Sequence, residues 1–112
     1  MIEAACHCGA VRIQAPKPEQ ITECNCSICR KLGTRWAYYR RGEATVTGPT
    51  AAYIQGDHTL ATHHCPTCGC TTHWVALDPG LARMAVNARL MSGIDDVRMR
   101  RFDGAESWTF LD

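Results

Sequence analysis

Cys6-His7-Cys8, Cys24-Asn25-Cys26-Ser27-Ile28-Cys29 and Cys65-Pro66-Thr67-Cys68-Gly69-Cys70 are the stretches that decide how this chain folds. They hold all eight cysteines of the 112 residues. Every cysteine has another two or three positions away. At such spacings sulfurs can converge on one ion, whereas a disulfide demands a Cα separation and dihedral that Cys-x-Cys meets poorly. The pattern points to metal. Eight sulfurs suffice for two zinc sites, both closed, or one closed and one with an open position.

A secreted disulfide scaffold is the competing reading for a short cysteine-rich chain. Such a chain should begin with a charged segment and an apolar run, and this sequence begins Met1-Ile2-Glu3-Ala4-Ala5-Cys6. No apolar run is long enough to span a membrane. A reduced, cytoplasmic protein with no membrane partner is expected. The length suits a single zinc-binding domain over residues 1–112 with a modest core that a structural metal would reinforce. The formal charge of +1 counts thiols as neutral. Seven thiolates outweigh two divalent ions, so the loaded protein is slightly acidic. The arginines are not gathered into a block, and nothing points to nucleic acid.

Outward from the cysteines, the chain reads mainly as strands. Ala10 to Gln14 alternates apolar and polar residues, and Pro16 and Pro18 end it. Further strands are expected over Ile21 to Cys24, Thr34 to Arg40, Ala44 to Thr47, Ala51 to Gln55, Thr59 to His64, Thr71 to Leu77, Ala82 to Leu90 and Val97 to Phe102. Gly48-Pro49 and Asp78-Pro79-Gly80 are turn signals. Ser27 to Leu32 reads as one helical turn stopped by Gly33, and Ser92 as the N-cap of a single turn over Gly93 to Val97. The expected fold is a small, mainly β domain whose loops are pinned by metal.

Cys6-His7-Cys8-Gly9-Ala10-Val11, Cys24-Asn25-Cys26-Ser27-Ile28-Cys29-Arg30 and His64-Cys65-Pro66-Thr67-Cys68-Gly69-Cys70 together resemble the glutathione-dependent formaldehyde-activating enzyme family. Val86-Asn87-Ala88-Arg89-Leu90 is also similar to that family. The resemblance implies the Mss4-like fold, several coiled β-sheets around zinc. It also implies that Cys6, Cys8, Cys65 and Cys68 bind a structural zinc. Cys24, Cys26 and Cys29 would then bind a second, catalytic zinc with an open position. Spacing alone leaves several pairings of the three clusters open.

A closed four-thiolate site fills its tetrahedron, whereas three thiolates leave room for water or an incoming thiol. A metal-bound thiol is deprotonated at neutral pH and can add to an aldehyde carbonyl. The activity implied is that of a carbon–sulfur lyase or synthase. Its partner would be a small thiol such as glutathione, or the aldehyde adduct S-hydroxymethylglutathione. A non-catalytic zinc module for protein interaction, or for metal and redox sensing, is the alternative. Cys70 decides between them: as a fourth ligand of the second zinc it would close the site, as a buried thiol it would not, and as a labile ligand it would yield to an incoming substrate thiol.

His73 is the preferred imidazole for moving a proton near the open zinc. His7 and His64 flank ligands and are expected to point away. Arg30 and Lys31 could steer glutathione carboxylates or offset thiolate charge. Asn87 could be a site amide donor or a turn residue, and Trp36, Tyr38 and Tyr39 could wall a pocket or fill the core. Arg98, Arg100 and Arg101 read as a solvated strand face. If the four-sulfur set staples the fold, Cys6→Ser or Cys68→Ser loses folding, by circular dichroism, before any specific loss of activity.

Overall fold

Strand alternation decides what is buried. In a computed structural model describing Met1–Asp112, strand β2 (Arg12–Ala15) turns Ile13 and Ala15 inward and Arg12 and Gln14 outward, the two-residue period of a pleated strand. It pairs antiparallel with β1 (Ile2–Ala5) and with β5 (Thr45–Thr47), giving a three-stranded sheet. The second sheet uses β3 (Gln20–Cys24), β4 (Trp36–Arg40), β6 (Ala51–Ile54), β7 (Leu60–His64), β8 (Thr71–Ala76), β9 (Arg83–Asn87) and β10 (Arg98–Phe102). Its order is β10-β3-β4-β9-β8-β7-β6, antiparallel throughout except for the parallel pair β3 and β10. No helix is long and apolar enough to cross a membrane.

The register sorts the central strands into two faces. Ala37 pairs with Val86, Tyr39 with Met84, and Met84 with Val75. These residues pack with Ala4, Ile13 and Ile21 from both sheets into the main core. Tyr39 is buried there with its hydroxyl donating to the Pro16 carbonyl at 2.6 Å, which satisfies its one polar group. The opposite face carries Trp36, Tyr38, Trp74 and Asn87. Trp74 meets Trp36 and Tyr38 edge-on, with ring centroids 6.5 and 6.1 Å apart.

The mainly β architecture matches the expectation, and α1 (Ser27–Leu32) ends at Gly33 in the left-handed conformation. Three local differences have physical reasons. Ile2–Ala5 forms a strand although Ile2-Glu3-Ala4-Ala5 does not alternate, because it completes the edge of β2. The expected strand over Ala82 to Leu90 stops at Asn87, whose Oδ1 accepts the Arg89 N–H at 3.2 Å and turns Ala88–Leu90 into a single 3₁₀ turn. The expected turn over Gly93 to Val97 shortens to Ile94–Val97, closed by the Val97 N–H donating to the Ile94 carbonyl at 3.0 Å, and the Ser92 N–H donates to the Glu3 carbonyl of β1.

Gly48 has φ +109°, and a Cβ there would lie 2.1 Å from the Ala10 carbonyl oxygen. The turn before β6 therefore passes against the loop that holds Cys6 and Cys8. Gly48→Ala should destabilise the fold by about 2 kcal/mol or more, the strained backbone and the clash adding together, as read from urea denaturation.

Candidate metal centres

Two β-turn knuckles build the first cluster. In Cys6-His7-Cys8-Gly9 the Gly9 N–H returns to the Cys6 carbonyl at 3.1 Å, and Cys6 and Val11 close the ladder behind it at 3.0 Å. The second knuckle repeats this plan: the Gly69 N–H donates to Cys65 at 2.9 Å, and the Cys65 N–H to Cys70 at 2.9 Å. The sulfurs of Cys6, Cys8, Cys65 and Cys68 lie within 4.8 Å of one another. Cys6 to Cys8 is 3.7 Å and Cys8 to Cys65 is 3.6 Å. A tetrahedral ion with metal–sulfur bonds of about 2.3 Å sets its sulfurs ~3.8 Å apart, so this set could hold such an ion.

Their acidities reinforce the point. Backbone N–H groups of Cys70 and Cys8 hold the Cys68 thiol down at about 5. The Ala10 N–H favours the Cys8 thiolate, but desolvation and the Cys65 and Cys6 thiols outweigh it and push Cys8 up to about 11. Burial opposes the Cys6 thiolate, but the Val11 N–H and the Cys8 thiol outweigh it and Cys6 is lowered, so negative charge is favoured at Cys6 and Cys68 and opposed at Cys8. A cation is what allows all four to be thiolates together.

The second cluster sits where β3 runs into α1. Cys26 is the residue before the first helical turn and Cys29 lies within it, so the three-residue spacing puts both sulfurs on one side of the helix. With Cys24 at the end of β3 they form a group within 4.8 Å. The Trp36 indole N–H donates to Cys29 Sγ at 3.3 Å, tying the cluster to the aromatic face of the sheet. Burial raises the Cys29 thiol to about 12; the Trp36 N–H opposes the rise, and Cys26 and Cys24 add to it. Burial also pushes Cys26 upward, but the Cys29 N–H and the neighbouring thiols more than offset it, and Cys26 is lowered. Three sulfurs fit a metal with one further coordination position.

A turn closes over this cluster that the cysteine spacing does not reveal. The Asn25 side chain donates to Asp103 at 3.0 Å and accepts the Ala105 N–H at 3.0 Å, while Asp103 accepts both the N–H and the hydroxyl of Ser107. This clamp brings Gly104 so close that a Cβ there would meet Cys24 Sγ at 2.5 Å. The signal was an asparagine between two cysteines, whose partner lies 78 residues away.

Cys70 belongs to neither group of converging sulfurs. It packs beside Cys6, Val11 and Cys65 at the first knuckle pair. His73 does not join the triplet either. It pairs with Val86 on the core face, whereas Trp74, Trp36 and Cys29 share the other. Its ring stacks on His63 with centroids 4.4 Å apart, and Nδ1 lies 2.8 Å from the Thr72 hydroxyl.

Asn87 is buried, donating to the Thr71 carbonyl at 2.8 Å and capping the 3₁₀ turn, a structural role. Arg100 lies over the Phe110 ring at 3.8 Å, and Arg101 Nε is 3.4 Å from Asp112, so that strand face is only partly solvated. A separate groove of about 460 Å³ between α1 and the β6–β7 hairpin carries Lys31, Tyr53 and His63 but no cysteine.

A mainly β fold with a four-sulfur and a three-sulfur cluster defines a class of small cysteine-rich proteins whose clusters could hold metal ions. The chain matches the family described as glutathione-dependent formaldehyde-activating enzyme over residues 1–108, and it belongs to that family. A Halomonas elongata protein named "Putative glutathione-dependent formaldehyde-activating enzyme" is 52% identical over 40 residues, 34% of this chain and 26% of that relative. The match thus spans about a quarter of the relative's length. The crystal structure of a Rhodobacter sphaeroides protein superposes with a TM-score of 0.71 at 28% identity, covering 87% of this chain and 98% of that one.

Burial lowers His73 to about 4, and the neighbouring His63 adds to the shift. Between its unfolded value of about 6.5 and its folded value the unfolded chain binds the extra proton, so stability should fall as pH drops through that window. His73→Gln should reduce the stability lost across that window by about 2 kcal/mol. The check is a comparison of urea midpoints for wild type and variant at several pH values.

Proposed function

We propose that the protein is a zinc-dependent carbon–sulfur lyase or synthase. It would form or break a thiol–aldehyde adduct such as the one between glutathione and formaldehyde. The observation that carries this reading is the inequality of the two clusters. Cys6, Cys8, Cys65 and Cys68 are enough to complete a tetrahedron, whereas Cys24, Cys26 and Cys29 are one sulfur short and Cys70 lies at the other cluster.

In this reading the four-sulfur set holds a structural zinc and the triplet a reactive one. Zinc in the triplet would stabilise a bound thiolate at neutral pH or polarise an aldehyde oxygen. The chain's own residues set the geometry. The Trp36 indole N–H fixes Cys29 Sγ, and the start of α1 fixes Cys26 relative to Cys29. The Asn25–Asp103 clamp lays the Gly104 turn across Cys24, shielding one side of the cluster from water. Addition joins the thiolate sulfur to the aldehyde carbon, and the former carbonyl oxygen takes a proton from solvent. Cleavage reverses both changes. His73 faces the core and takes no part.

The test is two-dimensional NMR exchange on zinc-loaded protein with glutathione and formaldehyde. Interconversion of the free thiol and its adduct should be faster than in buffer, and Cys26→Ala should abolish the increase while keeping the fold. An unchanged exchange rate, together with no thermal stabilisation by glutathione, would identify a non-catalytic zinc module instead.

A further inference from the structure

The three-cysteine cluster has open space on two sides. An arginine-lined pocket of about 390 Å³ has Cys24, Cys29, Arg30 and Arg89 in its wall. A second, of about 560 Å³, has Cys26, Gly104 and Ala105 in its wall. Asn25 borders both.

The φ of Gly104 lies outside the left-handed region, so it does not demand glycine. What demands glycine there is clearance. A Cβ would meet Cys24 Sγ at 2.5 Å and Cys26 Cβ at 3.4 Å, so the backbone of the turn lies directly on the sulfurs. Little burial holds it in that place. Residues 105–112 are exposed, and Trp108 is 73% exposed with φ +56°, a conformation that a bulky residue adopts only when its surroundings impose it.

Hydrogen bonds do the imposing. The Trp108 N–H donates to the Asp103 carbonyl at 2.7 Å, and the Asp103 N–H to the Thr109 carbonyl at 2.8 Å. Toward the cluster, the turn is fastened by Asn25. Its side chain donates to the Asp103 carboxylate and accepts the Ala105 N–H, each at 3.0 Å, and its own N–H donates to the Phe102 carbonyl at 3.3 Å. The Asn25 amide and the Ser107 hydroxyl and N–H hold the Asp103 carboxyl below the usual carboxylate range. A segment kept in place by exposed hydrogen bonds rather than by burial opens at low cost.

We propose that residues 103–107 form a strap that gates the three-cysteine site, with Asn25 as its latch. Closed, the strap retains the metal and blocks one approach to Cys24. Open, it joins the two pockets and exposes the sulfur to a chelator or an incoming thiol. Asn25 is a positioning residue, since it acts through the turn rather than on the metal. The inference rests on the proposed zinc in the triplet and adds how access to it is controlled.

The experiment follows zinc leaving the fully loaded protein for an excess of the colorimetric chelator pyridylazoresorcinol. Two phases are expected, and the one missing from Cys26→Ala belongs to the triplet. Asn25→Asp sets two carboxylates against each other and should speed that phase about tenfold, the effect of losing a charge-assisted hydrogen bond, with the other phase unchanged. Adding Asp103→Asn exchanges donor and acceptor, restores the latch and should return the rate to that of wild type, although the new charge at position 25 remains. Gly104→Ala displaces the strap by a different route. It should speed the same phase, and Asn25→Asp should then add little, because both act on one opening. Circular dichroism confirms the fold of each variant. A triplet phase that Asn25→Asp leaves unchanged overturns the strap, and so does one that Asp103→Asn fails to rescue; in either case the zinc reading of the triplet stands. A single phase, the same in wild type and Cys26→Ala, overturns that reading and the strap with it.

Discussion

The contact on which the rest of the structure depends is the meeting of Cys8 and Cys65, 57 residues apart in sequence and 3.6 Å apart at sulfur. Bringing them together closes a long loop, whose entropic cost must be offset by something local. The buried cluster of Cys6, Val11 and Cys65 supplies part of the offset. Thiol acidities supply the reason for a cation, because Cys68 favours the thiolate while Cys8 resists it. A cation held by the knuckles would join the small sheet to the β7–β8 hairpin electrostatically as well as through apolar contact. A protein of this size gains from such a staple, since its apolar core alone is modest.

The three-cysteine cluster is assembled by different means. It depends on a strand end, one helical turn and an indole N–H rather than on paired knuckles. It lies on the aromatic face of the large sheet, across from the main core. The two clusters thus rest on separate elements of the fold. The Gly104 turn and the arginine pocket border the triplet. Shielding and charge are thus concentrated at the incomplete site.

Much of this was legible from local spacing. The Cys-x-Cys and Cys-x-x-Cys patterns announce sulfur convergence, and Ser27 to Leu32 with Gly33 reads correctly as a stopped helix because both signals lie within one turn. What escaped was long-range. The place of Cys70 depends on which way the second knuckle faces. His73 and Trp74 are neighbours in sequence, and strand alternation sends one to the core and the other to the aromatic face. The Asn25 clamp and the arrival of Arg89 beside Cys29 come from segments far apart in the chain. Val97 to Phe102 reads as a strand with a solvated arginine face, yet its packing against Phe110 and Asp112 is invisible in the pattern.

The central claim is that the clusters are unequal, and cadmium-113 NMR of the cadmium-substituted protein tests it most directly. Two resonances are expected, one typical of four thiolates and one displaced toward three thiolates with a lighter ligand. An added small thiol should move only the second, and Cys70→Ser should move neither in position. Two four-thiolate resonances in the absence of added thiol, with one of them lost in Cys70→Ser, would contradict the account.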